Sequence, residues 1–333
     1  ILEKAGKRPT VMNGAVMKNF IAPDALFTSA LVGGNAFFVA EVDESDGSIA
    51  RYTPHVAVIN NISLDHKSME ELRQLFGDFA GKARHVVLNL DNDETTALLA
   101  KLPRERVRTY SLSDARADLV AENIKPAQDG IAFSVSSKGE RADVRLQMIG
   151  RHNVANALAA IAAAQSCGVS LADAASALGG FQGVSRRLDF VGQKSGVTVI
   201  DDFGHNPDKI AASLNALHEF SGRLLIMFQP HGFGPLKLMK DGFIDCFARD
   251  LAADDVLIMP DPVYFGGTTD RSVSSIDIID GVAKRGRTAL HFETRAACGD
   301  KLIDLAKAGD RIVVMGARDD TLTTFAQDLL SRL

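Results

Sequence analysis

The segment Val197-Thr198-Val199-Ile200-Asp201-Asp202-Phe203-Gly204-His205-Asn206-Pro207 decides the fold class. Its opening run of β-branched residues reads as a strand buried on both faces, the paired aspartates end that strand, and Gly204 and Asn206 belong to a loop. Proline is tolerated at the first helical position, so Pro207 opens a helix predicted over 207–220. A buried strand passing straight into a helix is the unit of a parallel α/β sheet. The alternation continues downstream as strand 223–228, helix 237–251, strand 256–259, helix 275–284, strand 288–292, helix 295–308, strand 311–315 and a last helix.

That series predicts a Rossmann-like domain. Upstream, buried strands are expected at 36–42, 55–62 and 85–90, with a helix at 68–83 between the last two. From 104 to 146 the segments shorten and carry turns such as Gln128-Asp129-Gly130 and Ser137-Lys138-Gly139, which predicts a small antiparallel β region. Two helices follow, 153–167 closed by Gly168, and 171–178 capped by Ser170 and ended by Gly179-Gly180. The domain boundary is expected near 188–192, giving domains at 1–190 and 191–333, the first with a mostly parallel sheet plus the antiparallel region.

The composition is that of a soluble enzyme: 46% apolar and 24% charged residues over a length that accommodates two domains. A net charge of -5 argues against a nucleic-acid partner, which needs a basic surface. Cys167, Cys246 and Cys298 are too scattered for a disulfide framework or a zinc pattern, which predicts a reducing, cytoplasmic setting. No apolar run reaches the ~18 residues of a membrane span, and residues 1–7 lack a signal-peptide core.

Four clusters carry chemistry. Glu41-Val42-Asp43-Glu44-Ser45-Asp46 follows a predicted strand, and Asp65-His66 follows the next, so Glu41 and His66 are candidates to hold one metal–nucleotide complex. The alternative is a solvated acidic loop with His66 beside a helix cap. Asn153 and Asn156 share a face of a helix's first turn and either meet a purine edge or cap the helix, with capping favoured for one of them. Arg186-Arg187 can neutralise a phosphate and Asp201-Asp202 can bind ribose hydroxyls, or the two pairs are a linker and a strand terminus. In Phe228-Gln229-Pro230-His231, His231 is the polar tip of a loop at the sheet's ligand edge, or incidental.

The order and spacing of these motifs resemble the Mur ligase family of peptidoglycan synthesis, an activity that bears on cell shape and division. The resemblance rests on Ala40 to Asp46, Asn61 to His66, Gly150 to Asn153, Phe181 to Arg187, Asp201 to His205, Phe228 to His231 and Met315-Gly316-Ala317. It implies a central P-loop-type ATPase domain followed by a Rossmann-like C-terminal domain, and an amide bond made through an acyl phosphate. It also implies ATP with Mg2+ as cofactors, and a site containing a His would accept Mn2+ as readily. Glu41 and His66 match the metal ligands, Asn153 and Asn156 the adenine contacts, and Arg187 and Asp202 the interdomain nucleotide contacts. His205 and His231 match substrate contacts, and His66, Glu41 and Arg187 form the catalytic group. Closure of the last domain is expected to exclude water from the acyl phosphate.

Within the family the motifs are most similar to the branch that joins L-alanine to UDP-N-acetylmuramate. Segment 196–203 is also similar to the branch that recycles a murein tripeptide, so the substrates implied are a UDP-sugar with an amino acid or a short peptide. A third reading is a ligase-like binding protein without catalysis. Asn206 stands where the L-alanine branch usually has a second His, and Gly232-Phe233-Gly234-Pro235-Leu236-Lys237 stands where it has an Arg-rich stretch. The family's phosphate loop, G-T-H-G-K-T-T, and the UDP-binding domain before it are not in the sequence. The expectation is that Ile1 lies a few residues beyond such a loop, in a three-domain ligase.

Overall fold

A computed structural model describes residues 1–25, 28–44, 47–63, 67–127, 130–263 and 270–333. The chain divides into two compact units, Ile1–Gly183 and Val184–Leu333. The first unit opens with β1 (Thr10–Met12), β2 (Ala30–Leu31) and β3 (Phe38–Ala40), a small sheet in the order β2-β1-β3. Then come β4 (Val56–Ile59), α1 (Met69–Lys82), β5 (His85–Asn89), α2 (Asp93–Leu99), β6 (Val107–Ser111), β7 (Leu119–Ala127), β8 (Gly130–Ser137) and β9 (Glu140–Leu146). The helices α3 (Arg151–Ser166) and α4 (Leu171–Leu178) complete the unit. Strands β4 to β9 form one sheet in sequence order, parallel from β4 to β7 and antiparallel beyond.

Successive side chains of β5 serve opposite layers, as the strand's period of two requires. Val86 and Leu88 join Ile59, Leu72, Phe79 and Ala80 under α1. Val87 joins Tyr110, Leu119, Val154, Leu158 and Ile161 under α3. A reciprocal capping box starts α1: the Glu71 amide donates to Ser68 Oγ at 3.3 Å and the Ser68 amide to Glu71 Oε2 at 3.0 Å.

Two expectations are corrected here. The predicted buried strand 36–42 is the short β3, with Phe38 62% and Val39 41% exposed, because β3 belongs to a separate three-stranded sheet rather than to the helix-covered one. The predicted antiparallel region begins later than 104, since β6 runs parallel to β5 with Leu88 opposite Thr109.

The second unit contains β10 (Asp189–Lys194), β11 (Val197–Asp202), α5 (Pro207–Leu217), β12 (Leu224–Phe228), α6 (Phe233–Leu238), α7 (Lys240–Asp250) and β13 (Val256–Met259). It continues with α8 (Ser275–Lys284), β14 (Thr288–His291), α9 (Arg295–Leu305), β15 (Arg311–Met315) and α10 (Thr321–Arg332). The sheet order is β10-β11-β15-β12-β13-β14, parallel except for the β10–β11 hairpin. That hairpin turns on Ser195 (φ 51) and Gly196 (φ 78), the left-handed pair a tight two-residue turn requires. The predicted helix 237–251 is two helices, because Met239 leaves the helical region at φ -106 and ψ 15.

One face of this sheet packs Val199, Leu225, Met227, Ile312 and Val314 against Leu302, Leu322 and Leu329. On the other face the buried Phe228 ring meets Phe243 at 5.2 Å and Phe247 at 5.7 Å. Among the described residues no helix is long and apolar enough to cross a membrane. Phe228→Ala should therefore cost about 3–5 kcal/mol, measured by urea denaturation; a loss under about 1 kcal/mol would mean that this aromatic cluster does not hold the unit together.

Candidate functional site

In the first unit Glu41 follows β3 directly, and its amide donates to Met12 O at 3.0 Å, continuing the ladder with β1. Glu41 Oε2 accepts the Gly14 amide at 2.7 Å. A Cβ at Gly14 would lie 2.8 Å from that oxygen, so glycine is what lets the carboxylate sit there. Glu41 is exposed. His66, Asp65 and Asp46 lie outside the described residues.

Asn153 and Asn156 belong to one polar network. Asn153 donates to Ile149 O at 2.8 Å and accepts from Asn156 Nδ2 at 3.4 Å; Asn156 Oδ1 accepts from Asn60 at 3.3 Å, and Asn60 Oδ1 accepts from the Tyr110 hydroxyl at 2.9 Å. Burial first, and then the Asp91 charge, push the Tyr110 hydroxyl well above its ordinary pKa, which keeps it a donor. Neither asparagine caps α3: the N-cap is Gly150, at φ 92, without a side-chain bond. The capping expectation is corrected accordingly, because Asn153 sits inside the first turn and its amide reaches back past the cap. Asn60 lies within the strand predicted at 55–62 and is not singled out there, although an Asn after a buried strand is itself a signal of a polar rim.

In the second unit the ends of β11, β15 and β12 lie side by side, with Asp202 and Phe228 both opposite Met315. Asp202 is 3% exposed; Oδ1 accepts the Leu188 amide at 3.0 Å, and Oδ2 accepts the Gly204 amide at 3.1 Å and Ser213 Oγ at 2.7 Å. One carboxylate thus pins the turn after Arg187 and the turn before His205. Arg186 and Arg187 separate: Arg186 is buried, donating to Gly316 O at 2.6 Å and to Asp201 at 3.4 Å, whereas Arg187 is exposed. Burial raises the Asp201 pKa, partly offset by Thr323 and Arg186. Both guanidinium groups lie over the Phe203 ring, at 5.2 and 5.1 Å, so Phe203 is a site residue that the sequence reading passed over.

His205 and His231 come together, their rings 5.4 Å apart and perpendicular. His205 Nδ1 lies 3.0 Å from Phe203 O; a proton on Nδ1 satisfies that carbonyl and leaves Nε2 as the acceptor. Asn206, where the resemblance led us to compare a second His, caps α5 by accepting the Lys209 amide at 2.9 Å. Burial lowers the His205 pKa, with Lys209, Arg187 and Arg318 adding repulsion against the Phe203 carbonyl. Burial, then His205 and Arg318, bring His231 down to about 4. A histidine whose folded pKa lies below its unfolded value binds fewer protons in the folded state, so its burial costs nothing above about pH 6.5 and destabilises as pH falls towards 4. Imidazole NMR should show His231 titrating near pH 4, and His231→Gln should flatten the acid side of the stability profile; a midpoint above pH 6 would contradict this environment.

Residues 4–164 match the Mur ligase middle domain, and residues 186–318 match the Mur ligase glutamate ligase domain. The chain belongs to the Mur ligase family. It is 34% identical to the UDP-N-acetylmuramate–L-alanine ligase of Cereibacter sphaeroides, covering 100% of this chain and 71% of that protein. It is 35% identical to the enzyme of the same name from Gluconobacter oxydans, covering 100% and 70%. Among solved structures, UDP-N-acetylmuramate–alanine ligase from Thermotoga maritima shares the fold with a TM-score of 0.76, at 24% identity over 99% of this chain and 70% of that one. A murein peptide ligase from Psychrobacter arcticus shares it with a TM-score of 0.64, at 24% identity over 99% and 72%.

Proposed function

We propose that the protein is an ATP-dependent ligase that forms an amide between L-alanine and the carboxylate of UDP-N-acetylmuramate, with Mg2+ as its metal. The observation that carries this reading is the likeness of the whole chain, through both units, to enzymes of that name. The tripeptide-recycling reading is not better supported: its solved neighbour, at 24% identity, shares the fold alone.

The residues present fit the metal, the adenine and the amine of this reaction, while the family's phosphate loop is not in the sequence. Glu41 offers a hard carboxylate oxygen with its partner oxygen already fixed by Gly14, as suits a cation that keeps most of its waters. His66 is proposed as the second ligand on the family resemblance alone. Asn156 would meet adenine from an ordered amide network in which the buried Asn153, Asn60 and Tyr110 hold it. Arg186 Nη1 is buried with no hydrogen-bond partner among the described residues and an ion pair to Asp320 at 3.6 Å, and Arg187 is exposed beside it; both favour an anionic phosphate. Asp202 Oδ1, which accepts one amide among these contacts, keeps capacity for a ribose hydroxyl.

Bound ATP supplies the phosphoryl group that activates the carboxylate. The chain's own task at the second unit is to bring a neutral amine to the acyl carbon. His205 Nε2, unprotonated at neutral pH on a ring that packs perpendicular to His231, can accept the proton that the ammonium must lose. His231, itself neutral, adds no charge that would repel that proton. Arg187 steadies phosphate charge from its platform on Phe203.

The enzyme as the cell makes it should release phosphate from ATP only when Mg2+, UDP-N-acetylmuramate and an amine substrate are all present, with L-alanine preferred to the tripeptide. No release with any amino acid or peptide would sink the ligase reading. Glu41→Ala and His66→Ala should each lower turnover by at least about a hundredfold. For the exposed Glu41 the melting temperature should stay nearly unchanged. If Glu41→Ala unfolds the protein instead, its role is structural.

A further inference from the structure

The turn after β15 carries a charged side chain that the reaction as described does not use. Arg318 has a left-handed backbone, φ 59, two residues beyond Gly316 at φ 151. Glycine takes the left-handed conformation without strain, so an arginine there is held at a cost. Nearby acids are engaged elsewhere: Asp319 accepts from Gln229 at 2.7 Å and Arg295 at 2.9 Å, and Asp320 lies 3.6 Å from Arg186. Among the described residues no carboxylate pairs with Arg318, which is exposed.

The turn that carries Arg318 touches both histidine loops: the Gly316 amide donates to Asp202 O at 3.2 Å, and Gln229 Nε2 donates to Asp319 Oδ2 at 2.7 Å. Because β15 lies between β11 and β12, its turn rises between the loop carrying His205 and the loop carrying His231, whose rings meet at 5.4 Å. The positive charge of Arg318 acts on both rings. The segment after His231 adds no free cation, since its Lys237 pairs with Asp270. In the ligase reading Arg187 is committed to phosphate and Lys209 bears on His205 alone, so Arg318 is the cation that bears on both rings.

We propose that Arg318 is a specificity-determining residue: with His231 it forms the seat for the carboxylate of the amine substrate, beside the base His205. This rests on the ligase reading above. A guanidinium grips a carboxylate through two parallel N–H···O bonds, and a neutral imidazole donates a further bond without adding like charge. In an α-amino acid the amine is one carbon from the carboxylate, so anchoring the acid at Arg318 presents the amine to His205 Nε2.

The test compares wild type with Arg318→Gly, which suits the left-handed backbone, and with Arg318→Lys, using L-alanine and L-alaninamide as amine substrates. Arg318→Gly should raise KM for L-alanine roughly tenfold or more. It should leave KM for ATP and UDP-N-acetylmuramate within about twofold, and abolish the wild-type preference for the acid over the amide. Its Tm should hold or rise, and Arg318→Lys should fall between the two. An unchanged L-alanine KM and acid preference in Arg318→Gly overturns this inference and leaves the ligase reading standing. A rise in the KM for UDP-N-acetylmuramate alone also overturns it, by moving the contact to the other substrate's carboxylate. A wild-type enzyme that ligates no amino acid overturns the ligase reading, and this inference with it.

Discussion

The second unit depends on one buried carboxylate. Asp202 ends β11 with almost no exposure, and an ionised group so placed is tolerable only when its oxygens are bonded. The donors it recruits are backbone amides on both sides of the strand, at Leu188 and Gly204, and the hydroxyl of Ser213 on α5. The turn that exposes Arg187, the turn that carries His205 and the helix behind them are therefore set by a single side chain. Loss of that carboxylate would leave the strand intact and disperse the residues displayed at its end.

Charge is distributed accordingly along this sheet. At the ends where the strands begin, it is consumed in structure: Asp255 accepts from His218 at 2.8 Å and from the amides of Leu224 and Ala252, and Arg311 donates to the carbonyls of Leu217, Phe220 and Gly222 that end α5 and its turn. Burial would raise the Asp255 pKa, but the His218 bond and those two amides hold it below its ordinary value. At the opposite ends, Arg187 and Arg318 stay in solvent and the histidines stay neutral. The strands thus separate charges that build the fold from charges left available to a ligand.

Much of this was legible in the sequence. The alternation from Val197 to Met315 located each parallel strand of the second unit; β12, β13 and β15 are written as apolar runs because both their faces are buried, whereas the edge strand β14 is only partly buried. β10 escaped because Asp189-Phe190-Val191-Gly192-Gln193-Lys194 is an edge strand, half exposed and broken by a glycine, although the Ser195-Gly196 turn announces a hairpin. β3 was overestimated for the converse reason: an apolar run states only that burial is favourable, and its three-stranded sheet leaves Phe38 exposed. The pairing of His205 with His231 was beyond sequence, since it needs the strand order. The division between Arg186 and Arg187 was equally hidden, being decided by Asp201 and the Gly316 carbonyl.

That strand order also bears on how the chain acquires its structure. β15 is the last strand to be synthesised, yet it lies in the middle of the sheet, with β11 on one side and β12 on the other. Residues near 200 and 227 must wait for residues near 313 before they gain their central partner, so the decisive contacts are of long sequence separation. Such closure is slow, and until it happens two strands present unpaired edges. The nascent second unit is therefore most exposed to aggregation just before its C-terminal segment emerges, and the ligand edge forms only in the last stage of folding.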